Sequence, residues 1–299
     1  MTLEIVLPYY GSFGYLMAAV ESIRAQSDPQ WRLTVVDDVY PDLAPGEWVK
    51  SIADDRISYS RNAANLGVAG NFNASVSLMT SDWGVVMGGD DIMLPGFVAR
   101  VRELAVGHPT AAVIQPGVEV IDEAGGLHLP LVDRLKGYHR FRGAGVRTFA
   151  GEQLATSLLR GNWTYFPSLV WRVEVLRQHR FRPDLVVAPD LVMLLDITAD
   201  GGSLVLDDAT VFQYRRHRHS VSSAAATDGS RFAEEHGVFI EQADRFARMG
   251  WKRAAGAARA HVSSRLNALT RVPAAIANGD GHGLRMLVSH AAGRAPAPR

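Results

Sequence analysis

Asp90 and Asp91 stand side by side in Met87–Pro95 (MGGDDIMLP), behind two glycines and ahead of a proline. Immediately upstream, Trp83–Met87 (WGVVM) is a short apolar run of the kind that forms a buried strand. The pair therefore falls where a strand leaves a sheet, and Gly88 and Gly89 let the backbone pass close to a ligand. Adjacent carboxylates repel, so two in one site are costly unless a cation or hydrogen-bond donors offset them. A hard divalent ion that also grips diphosphate oxygens would do so, because Mg2+ usually takes one or two carboxylates together with phosphate. Alone, the pattern fits a solvated Asp-Asp turn equally well, and the rest of the chain has to decide.

Similar polar clusters recur at the ends of the elements upstream. Glu4–Leu7 reads as a strand ended by Pro8 and the pair Tyr9-Tyr10, and Tyr15–Gln26 has helical spacing through Leu16, Ala19, Val20 and Ile23. Trp31–Val36 is a second strand with Asp37-Asp38 at its end. A third follows at Ile57–Ser60, then a polar loop with Asn65-Leu66-Gly67, a helix over 71–79, and the strand before Asp90. Strand and helix alternating in this way predict an α/β fold, a mainly parallel sheet with helices on both faces. Ligands of such sheets bind beyond the carboxyl ends of the strands, which is where all four clusters collect. The first turn reads Pro-Tyr-Tyr-Gly, with neither the Gly-x-Gly-x-x-Gly fingerprint nor a phosphate-loop Gly-Lys-Ser/Thr. A nucleotide here has to be held by carboxylates and a metal instead of a glycine cradle.

Downstream, a strand is expected at Ala111–Gln115, and Val118–Ile121 is expected to enter a hairpin that Gly125-Gly126 turns. Residues 127–151 carry no period and read as a mobile loop. Asn162–Pro167 (NWTYFP) is a polar-aromatic turn before a strand at Ser168–Arg172, and Asp190 opens a helix, where it would serve as an N-cap. Leu204–Leu206 and Thr210–Tyr214 are further strands, followed by RRHRHSVSS (215–223). Beyond this, Phe232, His236, Phe239, Ile240, Ala243 and Phe246 trace one face of an amphipathic helix, and residues 253–270 repeat a helical pattern. The division expected is a domain over 1–223, with halves 1–115 and 116–223, a helical extension over 224–292 and a disordered tail from 293.

The chain has no cysteine, which excludes disulfides and thiolate metal sites, and no apolar run long enough to span a bilayer. With a strand at the very N-terminus and no signal-peptide pattern, the expectation is a soluble cytoplasmic protein. Net charge is zero but uneven, since residues 215–299 hold 14 Lys and Arg against 6 Asp and Glu. That basic quarter reads as solvated helix faces or as a contact for anionic lipid, a phosphorylated acceptor or another subunit.

The order of these motifs resembles the inverting nucleotide-sugar glycosyltransferases of family 2, which have the GT-A fold. The residues that carry the resemblance are Leu7-Pro8-Tyr9-Tyr10-Gly11, Val35-Val36-Asp37-Asp38, Asn65-Leu66-Gly67 with Asn71 and Asn73, and Gly88-Gly89-Asp90-Asp91 followed by Pro95-Gly96-Phe97. Further on are Pro167-Ser168-Leu169-Val170, Ala188-Pro189-Asp190-Leu191, and Tyr214-Arg215-Arg216-His217-Arg218-His219-Ser220. The similarity covers about residues 3–223. Three departures stand out: Val39-Tyr40 replaces a Gly-Ser pair, Gly88 replaces the first carboxylate of Asp-x-Asp-Asp, and Pro189 replaces the first acid of the pair before the later helix.

The resemblance implies single-displacement transfer of a sugar from a nucleoside-diphosphate donor (UDP-, dTDP- or GDP-linked) to an acceptor hydroxyl. Asp190 would be the general base, its carboxylate raised by partial desolvation. Asp90 and Asp91 would hold Mg2+ or Mn2+ against the diphosphate, with His217 as third ligand and Arg215, Arg216 and Arg218 as further cations. Pro8, Tyr9 and Tyr10 would line the base pocket, Asp38 would accept from the base edge, and Asn65, Gly67 and Gly89 would lie by the ribose or diphosphate. Trp163, Tyr165 and Arg215 would face the acceptor: a glycan, a lipid-linked intermediate or a small natural product. Two other readings of the chain are a non-catalytic sugar-nucleotide-binding protein and a sugar nucleotidyltransferase, although the latter expects a basic residue in the GSFG turn. The basic helices allow a peripheral place on the inner face of a membrane or a homo-oligomer contact.

Overall fold

The structure, a computed structural model, describes residues 1–128, 130, 133–134, 144–185, 189–217 and 230–294. The expectations for 186–188, 218–223, 295–299 and most of 129–143 lie outside these residues. Among the described residues nine strands form one sheet, in the order β3-β2-β1-β4-β8-β6-β9-β5, with β7 also on β9. These are β1 (Leu3–Tyr9), β2 (Trp31–Asp37), β3 (Ile57–Arg61), β4 (Trp83–Val86), β5 (Ile92–Met93), β6 (Val113–Ile121), β7 (Arg147–Ala150), β8 (Val170–Arg172) and β9 (Ser203–Arg215).

The first four strands run parallel, as the alternation predicts. Leu3, Ile5, Val6 and Leu7 of β1 are all buried, the unbroken apolar run expected of a parallel strand covered on both faces. Registers of Leu3 with Trp31 and with Trp83 bring the carboxyl ends of β1, β2 and β4 to one edge. Helices α1 (Phe13–Arg24), α2 (Ala44–Ser51), α3 (Gly67–Leu78) and α4 (Phe97–Gly107) supply the crossovers. The expected apolar stripe of α1, Leu16, Ala19, Val20 and Ile23, is the one it buries.

At β8 the parallel order breaks, for this strand lies antiparallel between β4 and β6. Beyond it, β6 and β9 are two long parallel strands paired from Val113–Leu204 to Ile121–Arg215. This corrects the expectation of separate strands at Ala111–Gln115 and Val118–Ile121, and of two separate strands at 204–206 and 210–214. The reason is a bulge between Gln115 and Val118, which bends the pair without ending it. It needs Gly117, since a Cβ there would lie 2.5 Å from the Ala209 carbonyl oxygen. The Gly125-Gly126 turn does form, returning the chain to an antiparallel bridge of Leu127 with Ile121.

Helices α5 (Gly151–Arg160), α6 (Val173–His179) and α7 (Pro189–Ala199) cover this second half, followed by α8 (Ser230–Arg248), α9 (Lys252–Ala260), α10 (Val262–Ala277) and α11 (Gly281–Ala291). Phe239, Ala243 and Phe246 of α8 and Ala254, Ala255 and Ala258 of α9 share one core with Leu154, Leu158 and Leu195 of α5 and α7. Ile240, expected on the buried face, is exposed. The helical pattern expected over 253–270 breaks at His261, whose φ of 28° separates α9 from α10. No described helix is long and apolar enough to cross a membrane.

One of the strained backbone positions lies at the end of β2. The chain leaves β2 through Val39 at φ 62°, a region that β-branched residues rarely occupy. The turn is pinned on both sides: Asp38 N–H donates to Tyr9 O at 3.0 Å and Tyr40 N–H to Asp37 Oδ1 at 2.7 Å. Relief of left-handed strain is worth roughly 1–2 kcal/mol per residue, less the extra freedom a glycine gains on unfolding. Val39→Gly is therefore expected to stabilise the fold by about 1 kcal/mol in denaturant titrations; a lower midpoint would show that the turn is relaxed.

The shared core makes a second prediction. Phe246→Ala should cost about 3–5 kcal/mol and lower the unfolding midpoint of the chain in one transition. A separate early transition with the sheet unaffected would show that α8 folds by itself.

Candidate active site

At the carboxyl edge of the sheet, β5 brings the aspartate pair to the end of β9. Ile92 pairs with Gln213 and Met93 with Phe212, so the residues just before β5 face those that close β9. Asp91 is fully buried, and its Oδ1 accepts from the Arg215 backbone N–H at 2.8 Å. Its Oδ2 has no hydrogen-bond partner. Burial, and then the charge of Asp90, push the Asp91 carboxyl well above the ordinary range. Asp90 is partly exposed, and its Oδ2 lies 2.7 Å from His217 Nε2; that bond raises the imidazole above its usual value.

Gly88 explains how two carboxylates converge here. A Cβ at this position would lie 2.5 Å from Asp91 Oδ2 and 2.9 Å from Asp90 Oδ1. The missing side chain thus leaves the space into which both acids turn. The Arg215 guanidinium, expected on the acceptor side, is instead buried and donates to the carbonyls of Asp90, Asp122 and Glu123 at 2.8, 3.0 and 3.2 Å. It braces the loop behind the aspartates. Tyr15, which sequence reasoning assigned only to α1, places its ring 5.5 Å from that of His217 and beneath the Arg215 guanidinium.

The clusters upstream are organised just as tightly. Asp38 is buried, and its carboxylate accepts from Asn62 Nδ2 and Leu66 N at 2.8 Å and from Gly67 N at 3.0 Å. Asn65 Nδ2 donates to the Asp38 carbonyl at 2.9 Å. These contacts fix the loop into α3 and commit the Asp38 oxygens to backbone and side-chain donors of this chain, where a base edge was expected. Gly67 at φ 68° makes that turn. Asp37 is likewise engaged, by Tyr59 and Arg61 at 2.5 Å.

Tyr9 is buried, donates its hydroxyl to Gly11 O at 2.8 Å and packs edge-on against Tyr40 at 5.2 Å. Tyr10 is exposed and meets the same ring at 5.4 Å and 90°. Tyr40 is a residue that the motif comparison noted only as a departure. Pro8, half-buried, precedes Tyr9 in β1. Gly89 adjoins this group, since a Cβ there would touch Leu7 at 3.4 Å and Tyr9 at 3.9 Å. Base-pocket candidates and aspartate pair are therefore neighbours.

Asp190 lies half-buried in the first turn of α7, and Asn162 Nδ2 donates to its Oδ2 at 2.9 Å. The Asn162–Pro167 turn also supplies Tyr165, whose hydroxyl donates to Asp133 at 3.0 Å; Asp133 also accepts from Arg216 at 2.5 and 2.8 Å. A chain of contacts thus runs from the Asp190 turn through Tyr165, Asp133 and Arg216 to the residue next to His217. Trp163, expected on the acceptor face, is buried in the core and donates to Ser157 Oγ at 3.1 Å. Asp133 and Asn162 were not anticipated. Asn162 at the head of the polar-aromatic turn was a visible signal, whereas Asp133 lies in a stretch without periodicity.

Against known proteins, residues 4–156 match the family described as glycosyl transferase family 2. The succinoglycan biosynthesis protein ExoO of Rhizobium meliloti is 25% identical over 239 residues, covering 75% of this chain and 63% of that protein. The chain spans less than two thirds of the length of the curated relatives it matches. Among solved structures, S. aureus TarS residues 1–349 with UDP-GlcNAc superimposes with a TM-score of 0.65 at 14% identity, covering 98% of this chain and 93% of that one. The mannosyltransferase PcManGT of Pyrobaculum calidifontis, solved with GDP-Man and Mn2+, gives 0.60 at 15% identity, covering 97% and 79%. These likenesses extend the shared GT-A architecture over nearly the full length, and with half of its residues matched the chain belongs to glycosyl transferase family 2.

Proposed function

We propose that this protein is a metal-dependent inverting glycosyltransferase that moves a sugar from a nucleoside-diphosphate donor to an acceptor hydroxyl. The observation that carries the proposal is the unpartnered, buried Oδ2 of Asp91 beside Asp90 and His217 at the carboxyl edge of the parallel sheet. A buried carboxylate oxygen without a donor is costly, and a divalent cation is the group that would satisfy it together with a diphosphate. Asp90, Asp91 and the imidazole of His217 would hold Mg2+ or Mn2+, which when bound stabilises the negative charge of the departing diphosphate. The Mn2+ of PcManGT supports this assignment of a metal.

The remaining chemistry belongs to side chains. Asn162 holds Asp190 Oδ2, so Oδ1 is assigned as the atom that takes the acceptor proton as the hydroxyl oxygen attacks the anomeric carbon. Attack opposite the leaving group in one step inverts that carbon. Tyr9, Tyr10 and Tyr40 would border the nucleoside, with the loop held by Asp38 closing its other side. The UDP-GlcNAc and GDP-Man bound by TarS and PcManGT support a nucleotide-sugar donor, and ExoO, named for succinoglycan biosynthesis, favours a glycan as acceptor.

Asp190→Asn should keep donor binding, read by thermal shift with nucleoside diphosphates and Mn2+, while transfer falls by about 10²–10⁴-fold. Transfer near the wild-type rate would remove Asp190 as base. Absence of nucleoside diphosphate release from any donor, with or without acceptor, would favour the non-catalytic binder.

Asp91 yields a pH-dependent prediction. Its folded pKa is raised, so its contribution to stability is full below the ordinary carboxylate range and is lost as pH rises through the folded value. Asp91→Asn keeps the acceptor for Arg215 N–H and removes the buried charge. In metal-free buffer the variant should be more stable than wild type by several degrees in Tm near neutral pH, the gap closing in acid. Its Mn2+-dependent gain on adding donor should disappear. A variant less stable at every pH would show that the Asp91 carboxylate is satisfied without a cation.

A further inference from the structure

The C-terminal helices bring together three histidines that the proposed transfer reaction does not use. His236 comes from α8, His261 from the junction of α9 and α10, and His290 from α11. Each offers one ring nitrogen, and the three nitrogens lie within 4.8 Å of one another. His261 and His290 are almost completely buried, at 1% and 0% exposure, and His236 is partly so. The nitrogens left without a hydrogen-bond partner are His236 Nδ1, His261 Nε2 and His290 Nδ1.

The surrounding hydrogen bonds settle the tautomers of the two buried rings. His261 Nδ1 faces the Ala258 carbonyl at 3.2 Å, and a carbonyl only accepts, so this nitrogen carries the proton and Nε2 carries a bare lone pair. His290 Nε2 lies 2.7 Å from Ser264 Oγ, whose own proton goes to the Glu235 carboxylate. The serine oxygen must therefore accept from His290 Nε2, which leaves the lone pair on Nδ1. Arg231 in turn holds the other Glu235 oxygen at 2.7 Å. The lone pairs of His261 Nε2 and His290 Nδ1 are thus buried without a hydrogen-bond partner, an arrangement that costs free energy unless a cation fills it.

We propose that His236, His261 and His290 form a structural site for one divalent ion of zinc-like preference, cross-linking α8, the α9–α10 junction and α11. The imidazole donor set suits Zn2+ and its neighbours more than Mg2+, and a chain from ring N–H through hydroxyl to carboxylate is the outer-shell arrangement that orients metal-bound histidines. Burial keeps all three rings below their usual pKa, His290 down to about 4, so the ligands are neutral at physiological pH. Zinc at about 2.0–2.1 Å from each nitrogen needs nitrogen separations near 3.3 Å, so closure asks for side-chain shifts of the order of an ångström. A water would complete four-coordination. The strained φ of His261, 28°, is what turns its ring into the cluster at the helix junction.

The role is structural because the helices here lack a large core of their own. The buried apolar cluster that joins α8, α10 and α11 is Phe232, Ala268 and Leu287, a small set, while Phe239, stacked on His261 at 5.4 Å, belongs to the larger core. An ion at their centre would supply the missing cohesion.

The test uses the full chain without a polyhistidine tag, stripped with chelator and dialysed against Zn2+. The expected result is about one zinc per chain by elemental analysis, a Tm raised by several degrees, and the visible d–d bands of four-coordinate cobalt on Co2+ substitution. His236→Gln, at the least buried of the three positions, should fold as judged by far-ultraviolet circular dichroism and weaken zinc at least about tenfold. Asp91→Asn should leave zinc stoichiometry and the cobalt spectrum unchanged, which separates this site from the one at the sheet edge. Less than about a tenth of an equivalent of zinc, a six-coordinate cobalt spectrum, or unaltered binding by His236→Gln would overturn the proposal.

Discussion

The hydrogen bond from the Arg215 backbone N–H to Asp91 is the contact on which the arrangement of the site depends. It joins residues 124 positions apart, and it follows from the antiparallel pairing of β5 with β9. Once that register is set, the Arg215 side chain falls behind the aspartate loop and ties its Asp90 carbonyl to those of Asp122 and Glu123 in the turn after β6, while His217 lies against Asp90. Slipping the pairing by one residue would turn Arg215 outward and separate the acids from the imidazole, because side chains alternate faces along a strand. The long strands β6 and β9, kept together past their bulge by Gly117, exist in part to deliver this end.

That register also gives the acidic pair its unequal character. Asp91 is buried with one oxygen satisfied and one bare, while Asp90 is reachable and already meets the His217 imidazole at 2.7 Å. Burial raises the Asp91 carboxyl and the Asp90 contact raises the His217 imidazole, so both hold protons more tightly than free side chains. The proposed ion would compete with those protons, and its affinity should rise with pH. The same raised carboxyl that weakens the metal-free fold is what prepares the site for a cation.

How far the sequence was legible depended on the range of the interaction involved. The parallel half was readable because β1, β2 and β4 are continuous apolar runs and the α1 stripe has a clean period. The aspartate pair and His217 were readable because their residue types have few other uses at strand ends. Asp38 was not, since sequence cannot distinguish a carboxylate that faces a ligand from one whose oxygens are taken by Asn62, Leu66 and Gly67. Trp163 failed for a related reason: an aromatic beside a turn can lie on either surface of it, and here the core lies beneath. Arg215 in a run of three arginines looked like a free cation, and only the third dimension shows it buried against carbonyls. The three histidines of the C-terminal helices are separated by 25 and 29 positions, and no local pattern announces that they meet.

Gly88 ties these threads together. The family pattern that the sequence resembles would put a carboxylate here, and its absence looks at first like a weakened metal site. The geometry argues otherwise, because a Cβ at 88 would occupy the space into which Asp90 and Asp91 now turn. Removing one acid lets the other two approach and brings the imidazole of His217 within reach of the same point. The donor set that results has one negative charge fewer than three carboxylates would have, and one nitrogen more. Hard Mg2+ depends on charge and oxygen, whereas an imidazole favours ions further along the transition series. The glycine at 88 thus exchanges a carboxylate for room in which Asp90, Asp91 and His217 converge, which leaves a donor set at the proposed site.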